Sequence, residues 1–165
     1  MKPAALKIRT FGDECLRKVS EPVERIGVAE RLLIDAMFST MYAQKGIGLA
    51  APQVGINQQL IVLDVEGYGP LVIANPKIVK TSGSAVLEEG CLSVPGGVIE
   101  VERPETIMVE YLDVNNQPNV LQCSGLLARA IQHENDHLMG KLIVDYASPQ
   151  LKEKIKSNFP EAVNE

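Results

Sequence analysis

Residues 124–140, Ser-Gly-Leu-Leu-Ala-Arg-Ala-Ile-Gln-His-Glu-Asn-Asp-His-Leu-Met-Gly, decide how this chain folds. Ser124 is a helix-capping residue type and Gly140 a helix-ending one, so the stretch reads as one helix running to about Met139. At about 100° per residue, Leu126, Ala130, His133 and His137 share a stripe flanked by Leu127, Ile131, Glu134 and Leu138. Ala128, Arg129, Gln132, Asn135 and Asp136 fall on the opposite side, expected to face outward. The apolar stripe demands a sheet to cover it, and the residues before the helix supply one.

From about residue 58 to residue 122 the pattern becomes short β-branched runs broken by Gly, Pro and Asn: QLIVLDV, PLVIANPKIVK, GGVIEVER and TIMVEYLDV. These predict antiparallel strands, with a turn at Asn115 to Pro118. Further upstream, Val28 to Lys45 carries Leu32, Leu33, Ala36, Met37, Thr40 and Met41 at helical spacing and stops at Gly46. A turn is expected around Gly12 and Asp13. Downstream, a last helix should start at Ser148, with Pro149 in its first turn, and continue to Phe159. The predicted class is α+β: antiparallel β-sheets packed around the central helix, with an N-terminal and a C-terminal helix, in one domain over residues 1–165.

Inside the central helix, His133-Glu134-Asn135-Asp136-His137 forms H-E-x-x-H. The two imidazoles lie about 40° apart around the axis and can reach one ion, with Glu134 bordering the same face as a general base. They are the only two histidines in the chain, and an unpartnered imidazole on an inward stripe is costly. Catalytic metals usually take three protein ligands. In the signature H-E-x-x-H-x-x-G-x-x-H, Gly140 is in place but Ile143 stands where the third histidine belongs. Asp145 and Glu153 are acids without a distinctive context. Of the three cysteines, Cys15 and Cys123 read as small packing side chains. Cys91 sits in Glu88-Glu89-Gly90-Cys91-Leu92-Ser93-Val94-Pro95, where Gly90 and Pro95 bend the chain as a ligand thiolate requires.

Residues 46–53, Gly-Ile-Gly-Leu-Ala-Ala-Pro-Gln, formally match the dinucleotide pattern G-x-G-x-x-A, and Glu66 has the spacing of a ribose-binding acid. The context is wrong, because the motif follows a helix and leads to a strand. Its small residues instead let the backbone approach a ligand, with Gln53 as an amide donor.

Composition narrows the partners. Of 165 residues, 45% are hydrophobic and 22% charged, enough for a core without disulfides. The net charge of −5 removes the general attraction expected of a nucleic-acid binder. An odd count of three cysteines points to a reducing compartment. The N-terminal residues lack an apolar signal region, Pro3 and early charges interrupt any spanning helix, and the apolar runs are strand-sized. A soluble, cytoplasmic protein without membrane contact is expected.

Taken together, GIGLAAPQ, EGCLS and QHENDH occur in the order of the three motifs of peptide deformylases, and the sequence closely resembles that family. The similarity extends through VERPETIMVEYLD and SGLLARAIQHENDHLMGKLIVD. It implies that Cys91, His133 and His137 bind one divalent metal, Fe(II) in vivo with Zn, Ni or Co as substitutes. Glu134 would be the acid/base, with the Gln53 amide and the Leu92 backbone N–H on the oxyanion. The implied substrates are N-formyl-methionyl nascent peptides, with formate as a product. Ile47, Gly48, Glu89, Leu126, Arg129 and Ala130 match positions at the methionine pocket, Arg129 by its aliphatic stem and Gly48 by backbone pairing with an extended substrate. The tail with Lys152, Lys154 and Lys156 is similar to one that contacts the ribosome in related enzymes. The family usually has an apolar residue where Asn135 stands; Asn135 should face away from the ligands. Asp136 is expected to pair with Arg103. The competing readings are a zincin-like metallopeptidase and a structural Zn site formed by Cys91, Cys123, His133 and His137.

Overall fold

The computed structural model describes residues 5–165; residues 1–4, including Pro3, lie outside it. Helix α1 (Val28–Ala43) precedes strands β1 (Gly48–Ala50), β2 (Leu60–Val65), β3 (Gly69–Ser82), β4 (Ala85–Cys91), β5 (Val94–Arg103), β6 (Thr106–Leu112) and β7 (Pro118–Ser124). Helices α2 (Gly125–Leu138) and α3 (Pro149–Lys156) follow, with short 3-10 turns between elements. The strands form an antiparallel five-stranded sheet in the order β1-β2-β3-β6-β7 and a separate β4-β5 hairpin.

Strand β2 shows why helices cover both faces of the larger sheet. Its side chains alternate, so Ile61, Leu63 and Val65 pack with Leu127 and Ile131 of α2, whereas Leu60 and Val62 pack with Met37 and Met41 of α1. A third cluster joins Val94, Ile99 and Val101 of β5 to Phe11, Leu16, Leu142, Val144 and Ile155. Side-chain bonds from Arg129 to Glu89, Ala85 and Val101, and from Arg103 to Asp136, fix the hairpin beside α2.

This enclosure corrects the expected faces of α2. Ala128, Arg129 and Gln132, assigned outward, are buried, while Leu126, assigned inward, is 53% exposed. The hairpin supplies partners for the polar ones: Arg129 donates to Glu89 and to the carbonyls of Ala85 and Val101, and Gln132 to the carbonyl of Pro104. Asn135 is half-buried. Ser124 is the N-cap residue by backbone, but its hydroxyl bonds Thr106 Oγ1 rather than the helix.

In α1 the buried stripe is Ile34, Met37, Thr40 and Met41, and Leu32 is 65% exposed. That helix stops at Ala43, two residues before the expected Lys45, and α3 stops at Lys156 rather than Phe159. Ser148 does cap α3, accepting from the Leu151 N–H. Asn116, in the left-handed region at φ +61, makes the β6-β7 turn expected at Asn115 to Pro118. Strands β1 and β4 had no boundary in the pattern, because Gly48–Ala50 is too short to alternate and β4 mixes Glu, Gly and Cys. Gly140 stops α2 with φ +77, and a Cβ there would meet the Arg17 carbonyl oxygen at 2.5 Å.

Candidate metal centre and active site

Helix α2 brings His133 and His137 to one face, and the end of β4 brings Cys91 across from them. The ligand atoms of these three residues all lie within 4.8 Å of one another, with Cys91 Sγ 3.4 Å from His137 Nε2. A four-coordinate ion with bonds of about 2.0–2.3 Å separates its donors by roughly 3.3–3.8 Å, so the cluster needs only a small contraction to hold one. One thiolate and two imidazoles suit iron or zinc.

The electrostatics fit a cation as well. Burial lowers the His137 imidazole well below its usual value, which keeps it neutral as a ligand must be. Burial also disfavours charge on His133, yet negative Glu134 and the hydrogen bonds to Cys91 and Glu89 outweigh it and raise that imidazole well above its usual value. The surroundings of His133 therefore attract positive charge. Its orientation is fixed by Glu89, whose Oε1 lies 2.9 Å from Nδ1, the carboxylate–histidine arrangement common beside metal sites.

Glu89 is buried, and burial alone would raise its carboxyl; bonds to His133 and Arg103 more than offset this and hold it at about 2. Arg103 grips it with two bonds of 2.6 and 2.9 Å, and Arg129 adds a third of 2.6 Å. The expected Asp136–Arg103 pair is present at 2.9 Å, and the Tyr146 hydroxyl donates to the same Asp136 oxygen at 2.6 Å. The whole guanidinium of Arg129, not only its stem, thus belongs to the wall of the site. Tyr146 was not legible as a site residue, because nothing in the sequence marks a tyrosine ten residues after Asp136; Ser93 stood inside the EGCLS motif, which gave it no role of its own.

Glu134 is buried, with Oε1 lacking a hydrogen-bond partner, and burial pushes its carboxyl up to about 7. Gly48 of β1 packs against it. A Cβ at that position would come within 2.8 Å of Glu134 Oε2. Gly48 also pairs with Leu63 of β2, and β1 is the edge of its sheet, leaving one side of the strand for another chain. Gln53 follows in a 3-10 turn. Its Oε1 accepts from the Ala50 N–H, which turns Nε2 toward Ser93 Oγ at 3.1 Å and Cys91 Sγ at 3.7 Å.

A cavity of about 570 Å³ opens over these groups. It is lined by Ile47, Gly48, Gln53, Glu89, Cys91, Leu92, Leu126, Arg129, Ala130, His133 and Glu134, which are all the expected site residues except His137. His137 is fully enclosed behind them. The other two cysteines lie apart: Cys123 is in the core with Ile107 and Leu127, and Cys15 donates to the Pro52 carbonyl oxygen, with burial pushing its thiol up to about 11. Asp145 pairs with Arg17 and Glu153 with Lys156, so neither acid is a third ligand.

Comparison with known proteins bears on the family and the fold. A sequence model of the family described as polypeptide deformylase matches residues 5–153. A peptide deformylase of Pseudoalteromonas translucida is 46% identical over 158 residues, covering 94% of this chain and 95% of that protein. The crystal structure of a peptide deformylase from Legionella pneumophila superposes with a TM-score of 0.90 at 44% identity, over 93% of this chain and 92% of the other. One from Synechococcus elongatus, in complex with actinonin, gives 0.89 at 47% identity, over 99% and 89%. With a family model, sequence relatives and solved structures all matching along most of its length, the chain belongs to the polypeptide deformylase family.

Proposed function

We infer that the protein is a metal-dependent hydrolase that removes the N-formyl group from the N-terminal methionine of newly synthesised proteins. The observation that carries this reading is the burial of Glu134 against Gly48, beside the Cys91, His133 and His137 donors and under a cavity bordered by a free strand edge. Water adds to the formyl carbon, the C–N bond breaks, and formate and a free amine leave.

One divalent ion, Fe(II) in the cell with Zn, Ni or Co as substitutes, would be held by Cys91, His133 and His137 and would supply the charge that acidifies water and polarises the formyl oxygen. Glu134 takes the proton of the attacking water on its carboxylate and delivers it to the departing amine nitrogen. A carboxyl titrating near 7 is suited to both transfers. Gln53 Nε2, held beside Ser93 Oγ and Cys91 Sγ, would join the Leu92 N–H in stabilising the oxygen that becomes negative. Ile47, Leu126 and Ala130 enclose the methionine side chain. Glu89 and Arg129 form the polar wall, and Gly48 offers its strand edge to the peptide backbone.

A closed structural Zn site would need a fourth donor, and Cys123 is packed away from the cluster. A zincin-like endopeptidase lacks its third ligand, since Asp145 and Glu153 are engaged elsewhere. The discriminating experiment is formate release from a formyl-methionyl peptide by anaerobically purified protein, with metal content measured on the same sample. Hydrolysis of an internal bond in an unformylated peptide at a matching rate would refute the reading.

No helix among the described residues is long and apolar enough to cross a membrane, and we place the protein in the cytoplasm with nascent chains. Contact with the ribosome would involve Lys154, the exposed cation of α3, because Lys156 lies near Glu153 and Lys152 near Asp145. Loss of co-sedimentation with ribosomes in Lys154→Glu would support it.

A further inference from the structure

Two charged side chains in the cavity wall have no part in the chemistry above. Lys45 lies in the turn between α1 and β1, and Glu88 lies on β4, one residue before Glu89 and therefore on the opposite face of that strand. Both are exposed and both line the cavity that holds Glu134. Neither takes part in an ion pair among the described residues.

The α1-β1 turn brings a positive charge and β4 a negative one to the cavity lining. Glu88 stands directly across the hairpin from Glu100, and the next pair on that face is Val86 with Glu102, so three exposed carboxylates share one surface. No cation offsets Glu88 within the cavity lining on β4. On the other wall, Lys45 is flanked by Gln44 and Gly46, and its backbone is held by hydrogen bonds from Lys45 N–H to the Tyr42 carbonyl and from Gly46 N–H to the Met41 carbonyl. The turn that carries Lys45 is thus held at the rim by main-chain bonds.

A substrate whose formyl-methionine lies over Glu134 must leave the cavity past these walls. In an extended peptide successive side chains point to opposite sides, so the second and third residues face different walls. We propose that Lys45 and Glu88 make the enzyme read the order of charges in the second and third residues of its substrate. The proposal rests on the deformylase reading and adds a determinant outside the methionine pocket.

The test uses two peptides of identical composition and net charge, formyl-Met-Asp-Lys-Ala and formyl-Met-Lys-Asp-Ala, with formyl-Met-Ala-Ser as neutral reference. Each kcat/KM is divided by the same enzyme's value on the reference, which cancels general effects of a substitution. The two orders should differ about five-fold at low ionic strength, and the difference should shrink toward unity in about 0.5 M salt, as expected of exposed pairs. The double variant Lys45→Glu with Glu88→Lys should reverse the preference. Equal rates on the two peptides, or a preference that survives the exchange unchanged, overturns the proposal while leaving deformylation intact. Failure to turn over even the neutral peptide would sink the deformylase reading and this proposal with it.

Discussion

Replacing Gly48 with alanine tests whether the placement of Glu134 limits the rate. The new Cβ would sit 2.8 Å from Oε2 and 3.2 Å from both Cδ and Cγ of Glu134, against ordinary contacts of 3.4–4 Å. The carboxylate must retreat by about 0.6 Å, the difference between 3.4 and 2.8 Å. A misplacement of 1 Å in a reacting group can cost about a hundredfold, so kcat should fall roughly ten- to thirtyfold, or about 1.4–2 kcal/mol of transition-state stabilisation. The obstructing atoms are the end of one side chain, not backbone, so the fold should lose only about 1 kcal/mol, a few degrees in Tm.

The assay is formate release from formyl-Met-Ala-Ser, with metal content and thermal unfolding measured in parallel. Retained metal and a small shift in Tm would assign the loss to the carboxylate. A double-mutant cycle sharpens this, because Glu134→Asp shortens the acid and makes room for the methyl group. If the clash is the cause, adding Gly48→Ala to Glu134→Asp should cost far less than it does alone. Unchanged kcat in Gly48→Ala, or fully additive losses in the cycle, would refute the reasoning.

Cys91→Ser should lose stoichiometric metal in elemental analysis, whereas Cys123→Ser should retain it and show only a modest fall in stability from its buried site. Glu89→Ala removes the acid between two buried guanidinium groups and should destabilise the protein by about 3–5 kcal/mol in denaturant titrations; a loss below 1 kcal/mol would show that Arg103 and Arg129 find other partners. Burial disfavours the charged form of Asp145, but the Arg17 bonds prevail and hold its carboxyl below the usual range. A depressed folded-state pKa stabilises above the unfolded value of about 4 and that gain disappears as pH falls through the folded value, so Asp145→Asn should flatten the decline in Tm below pH 4. With Fe(II) bound, activity should decay in air or peroxide through oxidation of the iron and the Cys91 thiolate, while the Zn or Ni forms persist; equal decay of all forms would count against a metal-centred cause.

The sequence by itself determined the central helix, its two histidines and the acid between them, because helical periodicity is local and H-E-x-x-H needs no partner to be recognised. It also determined the family, since three spaced motifs survive without any knowledge of contacts. The tertiary structure alone decided which side of that helix is buried. Arg129 and Gln132 look solvent-facing by composition, yet the β4-β5 hairpin and Pro104 just after it accept their hydrogen bonds and so enclose them, leaving Leu126 half open at the cavity mouth. The same packing made Glu89 the hub of His133, Arg103 and Arg129, and placed Gly48 against Glu134. Such relations join residues far apart in sequence, 14 positions for Arg103 and Glu89 and 44 for His133 and Glu89. No local periodicity encodes them, because burying a charge becomes tolerable only when the fold brings its partner.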